Sequence, residues 1–179
     1  MFAGAVAMVL AATTVGAGMA FAGGGHQKGR TPSGPIGAGG SVSTRGAETF
    51  EPNALIQATF RFSPDKIVVH HGQQVRWVHR DQAEEPHTVT IVNKDQVPTS
   101  ADEVFSCKVC RQALKAHFAT GKLKRKVDPD GDGGLDQPGD SLLFFPGQPV
   151  SRQITAPAGS KLFYVCAIHP WMQGKIVVH

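Results

Sequence analysis

The chain has 179 residues, of which 41% are hydrophobic and 18% charged, with a formal net charge of +4. That length fits one domain with an appendage, and the apolar content is enough to fill a core. Its 21 Gly and 12 Pro interrupt the sequence too often for a polytopic membrane protein, and so small a net charge does not call for a nucleic-acid partner.

Residues 1–22 come first. No charged side chain occurs before His26, Met1 to Val15 is rich in Ala and Val, and the stretch ends in the small-x-small pattern Ala20-Phe21-Ala22. This reads as an export signal, although it lacks the usual Lys or Arg near its start. The alternative is an uncleaved N-terminal anchor that tethers the chain to a membrane. Both place the remainder in an extracytoplasmic, oxidising space, periplasmic, secreted or at the cell surface. Residues 23–48 are rich in Gly, Ser and Pro, with Ile36 and Val42 the sizeable aliphatic residues before Gly46. They are expected to form a flexible linker, with the folded domain spanning 49–179.

Within that domain, short β-rich runs alternate with turn residues. Ala54–Phe62 is a strand candidate stopped by Ser63-Pro64-Asp65, and Ile67–His71 ends at Gly72. In Gln74–His79, Val75, Trp77 and His79 share one face; His87–Val92 alternates again. Val150–Ile154, Lys161–Cys166 and Lys175–Val178 follow later. Seven such runs predict an all-β, antiparallel Greek-key sandwich. His70, His71 and His79 read as strand or surface residues.

Residues 95–140 form an insert of different character. Ser100 and Glu103 have capping-box spacing, and Val104, Cys107, Leu114 and Phe118 then recur at helical intervals. Lys108, Arg111, Lys115, Lys122, Lys124, Arg125 and Lys126 make the element basic: either a docking strip for an acidic redox partner or an ordinary solvated face. Cys107 and Cys110 are close enough on a helix for a disulfide, with a redox-active or metal-binding pair as the alternative. His117 lies about 10 Å further along such a helix, so one metal cannot take all three. Asp128, Asp130, Asp132 and Asp136, with Gly133 and Leu135, match the first nine positions of a calcium loop. The closing Glu should fall at position 139, which is Gly; Asp140 comes one residue late. The segment resembles EF-hand-like and thrombospondin-type calcium loops up to that point, and a solvated Asp-Gly turn is the other reading.

The densest chemistry lies in Tyr164-Val-Cys-Ala-Ile-His-Pro-Trp-Met-Gln-Gly, between the last two predicted strands. Cys166, His169 and Met172 offer thiolate, imidazole and thioether at intervals of three. Two His, one Cys and a weak axial Met make a blue-copper ligand set. His87, which follows Pro86 at the start of a strand, supplies the second His. No Ser-His-Asp set, phosphate loop or paired carboxylates has a comparable claim, so an enzyme is not expected.

At these residues the chain resembles the cupredoxin family, in its amicyanin and plastocyanin branch. FSPDKIVVHHGQQVRWVHRD resembles the family's early strands, EEPHTVTI its first His segment, and APAGSKLFYVCAIHPWMQGKIVV its ligand loop and last strand. The likeness covers about residues 50–94 and 141–178, without the insert. It implies a cupredoxin-like sandwich with His87, Cys166, His169 and axial Met172 as copper ligands. No second Cys follows Cys166 in the loop, which implies a mononuclear centre. It also implies His169 as the electron port, with Pro170 and Trp171 beside it. The expected function is single-electron transfer by a monomer between extracytoplasmic redox proteins, with copper storage or delivery as the alternative.

The odd Cys count then divides into Cys166 for the metal and Cys107 with Cys110 for the insert. Met1, Met8 and Met19 go with the export segment, leaving Met172 in the ligand loop.

Overall fold

The computed structural model describes residues 38–179. In chain order the strands are β1 (Ala38–Arg45), β2 (Glu48–Glu51), β3 (Leu55–Ala58), β4 (Arg61–Ser63), β5 (Lys66–Val69), β6 (Gln74–Val78) and β7 (His87–Val92). The insert contributes helices α1 (Ala101–Ser106) and α2 (Lys108–His117) and the short β8 (Lys126–Val127). β9 (Ser141–Phe144), β10 (Val150–Gln153), β11 (Lys161–Val165) and β12 (Gln173–Val178) complete the chain.

One sheet runs β10-β6-β1-β4, a second runs β5-β12-β11-β7-β9-β8, and β2-β3 is a separate hairpin. Most pairs are antiparallel, as expected, but β1–β6 and β5–β12 are parallel. A single apolar core joins the two sheets: Val42, Val75 and Trp77 from the first, and Val89, Ile91, Tyr164 and Ile176 from the second. The alternation read in Gln74–His79 is present, with Val75 and Trp77 buried and Gln74 and Arg76 exposed. Gly174 sits opposite Tyr164 in the β11–β12 ladder, and a Cβ there would come within 2.2 Å of the Tyr164 ring.

β1 corrects the expected linker boundary. Residues 38–45, assigned from composition to the linker, form a strand of the sandwich, with Val42 and Thr44 fully buried. The small residues here serve close packing. A Cβ on Gly39 would meet the Gln73 Cβ at 2.8 Å and the Gln74 carbonyl oxygen at 3.0 Å. The proposed export segment 1–22 and linker residues 23–37 lie outside the described residues. Among the described residues no helix is long and apolar enough to cross a membrane.

Two further elements depart from expectation. β9 carries no alternation because both of its faces are covered: Leu142 and Phe144 lie in the core, Ser141 meets His117 of the insert on the other face, and every residue is buried. The predicted single helix is two. Ser100 caps α1 by accepting from the Glu103 N–H, and Glu103 reaches back to the Thr99 N–H and hydroxyl. The backbone then leaves helical geometry at Cys107, whose sulfur accepts from the Cys110 N–H and caps α2.

The insert is packed onto the sandwich. Cys107, Cys110 and Ala113 form a second apolar cluster with Val92, Val165 and Ala167. This covers the outer face of β7 and β11 and explains why all six residues of β7 are buried.

Candidate metal centre

His87 opens β7, Cys166 follows β11, and His169 and Met172 lie in the loop that leads into β12. Two backbone bonds close that loop: the Cys166 N–H donates to the Met172 carbonyl at 2.9 Å, and the Met172 N–H to the His169 carbonyl at 2.8 Å. His87, Cys166 and Met172 are wholly buried and His169 is 6% exposed.

Three donor atoms converge. His87 Nδ1 and His169 Nδ1 are 3.2 Å apart, and Cys166 Sγ lies 3.8 Å from the first and 3.7 Å from the second. A point equidistant from all three lies about 2.1 Å from each, within the range of metal bonds to imidazole and thiolate.

The outer nitrogens fix what the inner ones can do. His87 Nε2–H donates to Asp81 Oδ2 at 2.9 Å, and His169 Nε2–H donates to Glu85 Oε2 at 2.6 Å. Ionised carboxylates only accept, so each neutral ring carries its proton outside and turns a lone pair inward. Two lone pairs and a sulfur facing one another at these distances form a candidate site for a cation. Burial pushes His87 down to about 4 against the opposing pull of Asp81, and likewise lowers His169 against Glu85. Burial pushes the Cys166 thiol up. The imidazoles are therefore available as neutral ligands, and the thiol must release its proton when a metal enters.

The surroundings hold this set in place. The Thr88 N–H donates to Cys166 Sγ at 3.3 Å. Phe60 packs edge-on against both rings, with centroids 5.5 Å from His87 and 4.9 Å from His169. His79 also belongs here: its Nε2–H donates to the Glu85 carbonyl at 2.9 Å and its ring lies 5.2 Å from His87. This corrects its reading as an ordinary strand or surface residue. Asp81, Glu85 and His79 are site residues that the sequence alone does not mark. The available signal was two carboxylates six and two residues ahead of a candidate ligand His.

A buried polar chain runs from this loop into the insert. The Ala167 N–H donates to Thr88 Oγ1 at 2.7 Å, and Thr88 Oγ1 lies 3.0 Å from Thr90 Oγ1. Ser141 Oγ is 2.7 Å from Thr90 Oγ1 and 2.7 Å from His117 Nε2. His117 Nδ1–H donates to the Lys124 carbonyl at 2.6 Å. Burial lowers the pKa of His117.

Of the residues expected at the port, Trp171 is exposed, with its ring tilted against His169 at a centroid distance of 5.2 Å, whereas Pro170 is buried. Glu85 covers the outward nitrogen of His169. Cys107 and Cys110 form a disulfide, the first of the readings left open for that pair. Lys108, Arg111 and Lys115 lie on the exposed side of α2. In the acidic loop, two groups of carboxylates gather, Asp128 with Asp130 and Asp140, and Asp130 with Asp132 and Asp136. Asp128 also pairs with Arg152 at 2.6 Å. Burial, and then the charges of Asp132, Asp140 and Asp130, push Asp136 up to about 6.

Residues 53–179 match the family of copper binding proteins, plastocyanin/azurin family, and the chain belongs to that family. Its two-sheet architecture is the expected cupredoxin-like sandwich. No curated protein sequence matches the chain. Among solved structures it is similar to a purple cupredoxin from Nitrosopumilus maritimus, at 15% identity and a TM-score of 0.42, covering 78% of this chain and 99% of that one. It is also similar to dithionite-reduced auracyanin from Roseiflexus castenholzii, at 17% identity and a TM-score of 0.44, covering 80% and 99%. A reduced amicyanin mutant is 18% identical with a TM-score of 0.37, covering 66% of this chain and 73% of that one.

Proposed function

We infer that this copper-family protein is a blue-copper electron carrier with one mononuclear type 1 site. His87 Nδ1, His169 Nδ1 and Cys166 Sγ would hold the copper strongly, and Met172 would supply a weak thioether donor. The observation that carries this reading is the convergence of two inward lone pairs and one thiol on a single point inside a closed pocket. When bound, copper supplies a one-electron couple between Cu(I) and Cu(II).

The chain's own residues do the rest. Asp81 and Glu85 hold the ring protons at Nε2 and so keep both Nδ1 atoms free. The Thr88 N–H steadies the Cys166 sulfur. Phe60, Phe144 and the buried loop exclude water, and a rigid enclosure keeps ligand geometry similar in the two oxidation states. His169, with Trp171 and Glu85 at the surface, is the port through which electrons pass to and from redox partners. The partners are extracytoplasmic proteins, consistent with the proposed export segment and with the disulfide.

Copper delivery is the weaker reading. It called for an open site and help from the insert's Cys pair, whereas the ligands are enclosed and the pair is bonded to itself.

Cu(II) titration followed by visible and paramagnetic-resonance spectra tests the proposal. One equivalent should bring up an intense thiolate-to-copper band, and Cys166→Ser should abolish it. A colourless copper complex, or a band that survives the substitution, would sink it.

A further inference from the structure

The Asp128–Asp140 loop lies outside the copper site, and nothing in electron transfer requires it. Its sequence departs from a calcium loop in one respect, since the closing acidic residue comes one position late. The fold removes that objection. Asp140 turns back so that one ligand atom each from Asp128, Asp130 and Asp140 lies within 4.8 Å of the others. Oxygens bound to one calcium ion at roughly 2.4 Å can be separated by no more than about 4.8 Å. Asp130, Asp132 and Asp136 meet the same limit, so the two groups share Asp130.

A second observation is independent of the clustering. Asp140 is fully buried. Its Oδ2 accepts from the Asp136 and Gln137 N–H groups, each at 3.0 Å. Its Oδ1 is also buried and has no hydrogen-bond partner, and the same is true of Asp136 Oδ1. A buried carboxylate oxygen without a partner is costly. Arg152, held by Asp128 and the Gly134 carbonyl, offsets one of the five negative charges. The remaining charge and the unpartnered oxygens call for a hard cation with all-oxygen ligands.

We propose that the Asp128–Asp140 loop binds one calcium ion, with Asp128, Asp130 and Asp140 as its central ligands. Calcium is favoured over magnesium because the carboxylates are numerous and come from a Gly-rich loop, whereas magnesium needs a tight octahedron and keeps its waters. The ion would fasten the insert to the sheet, because the Asp140 carbonyl accepts from the Ile91 N–H of β7 at 2.8 Å.

Thermal melting of the metal-stripped full chain tests this, with and without millimolar calcium at matched ionic strength. The expected result is a rise on the order of 5 °C. Calorimetric titration should give one ion per chain. Asp130→Asn, at an exposed position, should lose most of the rise and still develop the copper band; Asp140→Asn should behave alike if it folds. No shift and no heat would overturn the proposal. So would an equal shift with magnesium, or a calcium shift that persists in Asp130→Asn.

Discussion

Asp81 and Glu85 determine which nitrogen of each candidate ligand His carries the proton, so they set the donor character of the centre without touching the metal position. Asp81 is the more consequential, because its side chain and that of His87 are both fully buried. Asp81→Asn keeps the shape but replaces a charged acceptor with a neutral amide that can also donate. Copper affinity should fall about 10- to 100-fold and the reduction potential should rise, as a competitive copper titration and voltammetry can measure. An unchanged affinity would mean that the ring is oriented by packing on Phe60 and Phe144 instead. These carboxylates were illegible in the sequence for a physical reason. Cys166, His169 and Met172 carry their ligand chemistry in their types and lie within one short loop. Asp81 and Glu85 look like ordinary turn residues, and their role depends on how the chain from Asp81 to Pro86 bends back over the two rings.

At the scale of elements, alternation revealed the strands that have one face on the core and one in solvent, such as β6. It failed for β9, which is buried throughout, and for β1, whose Gly and Ser content permits close approach to β6 but resembles a linker. The helical period in the insert was legible; the break at Cys107 was not, because it depends on a sulfur cap and a cross-link. That cross-link spans three residues and lies in the cluster that seats α2 on the sheet. Replacing Cys107 and Cys110 together with Ala should cost about 2 kcal/mol from loop closure alone. Urea unfolding should show this loss, while the copper spectrum remains, since Cys166 is a separate residue. Loss of the blue band in the double variant would show that the insert shapes the copper loop directly.

For the whole molecule, the insert is a third layer on the sheet that holds His87 and leads into Cys166, and its His117 is fully buried. Burial lowers the pKa of His117 below its ordinary 6.5, so the folded state binds its proton less readily than the unfolded state does. The stabilising contribution is fully present above 6.5 and is lost as pH falls through the lowered value. Denaturant unfolding between about pH 7 and pH 5 should therefore be less pH-dependent in His117→Gln than in the parent chain. Equal slopes would remove His117 from the acid response. The polar chain that ends at this residue also has a forced direction. His117 gives its Nδ1 proton to the Lys124 carbonyl, so Nε2 must receive from Ser141. Ser141 must then receive from Thr90, Thr90 from Thr88, and Thr88 from the Ala167 peptide. Every link points one way, like a row of arrows. A second proton on His117 would reverse the first arrow, and a reversal carried along the hydroxyls would end at Thr88, whose oxygen can accept from both Thr90 and Ala167 but whose own proton would then lack an acceptor. The cost would thus fall on the residue whose backbone N–H donates to the Cys166 sulfur, so the far end of this polar chain lies beside the candidate ligand loop.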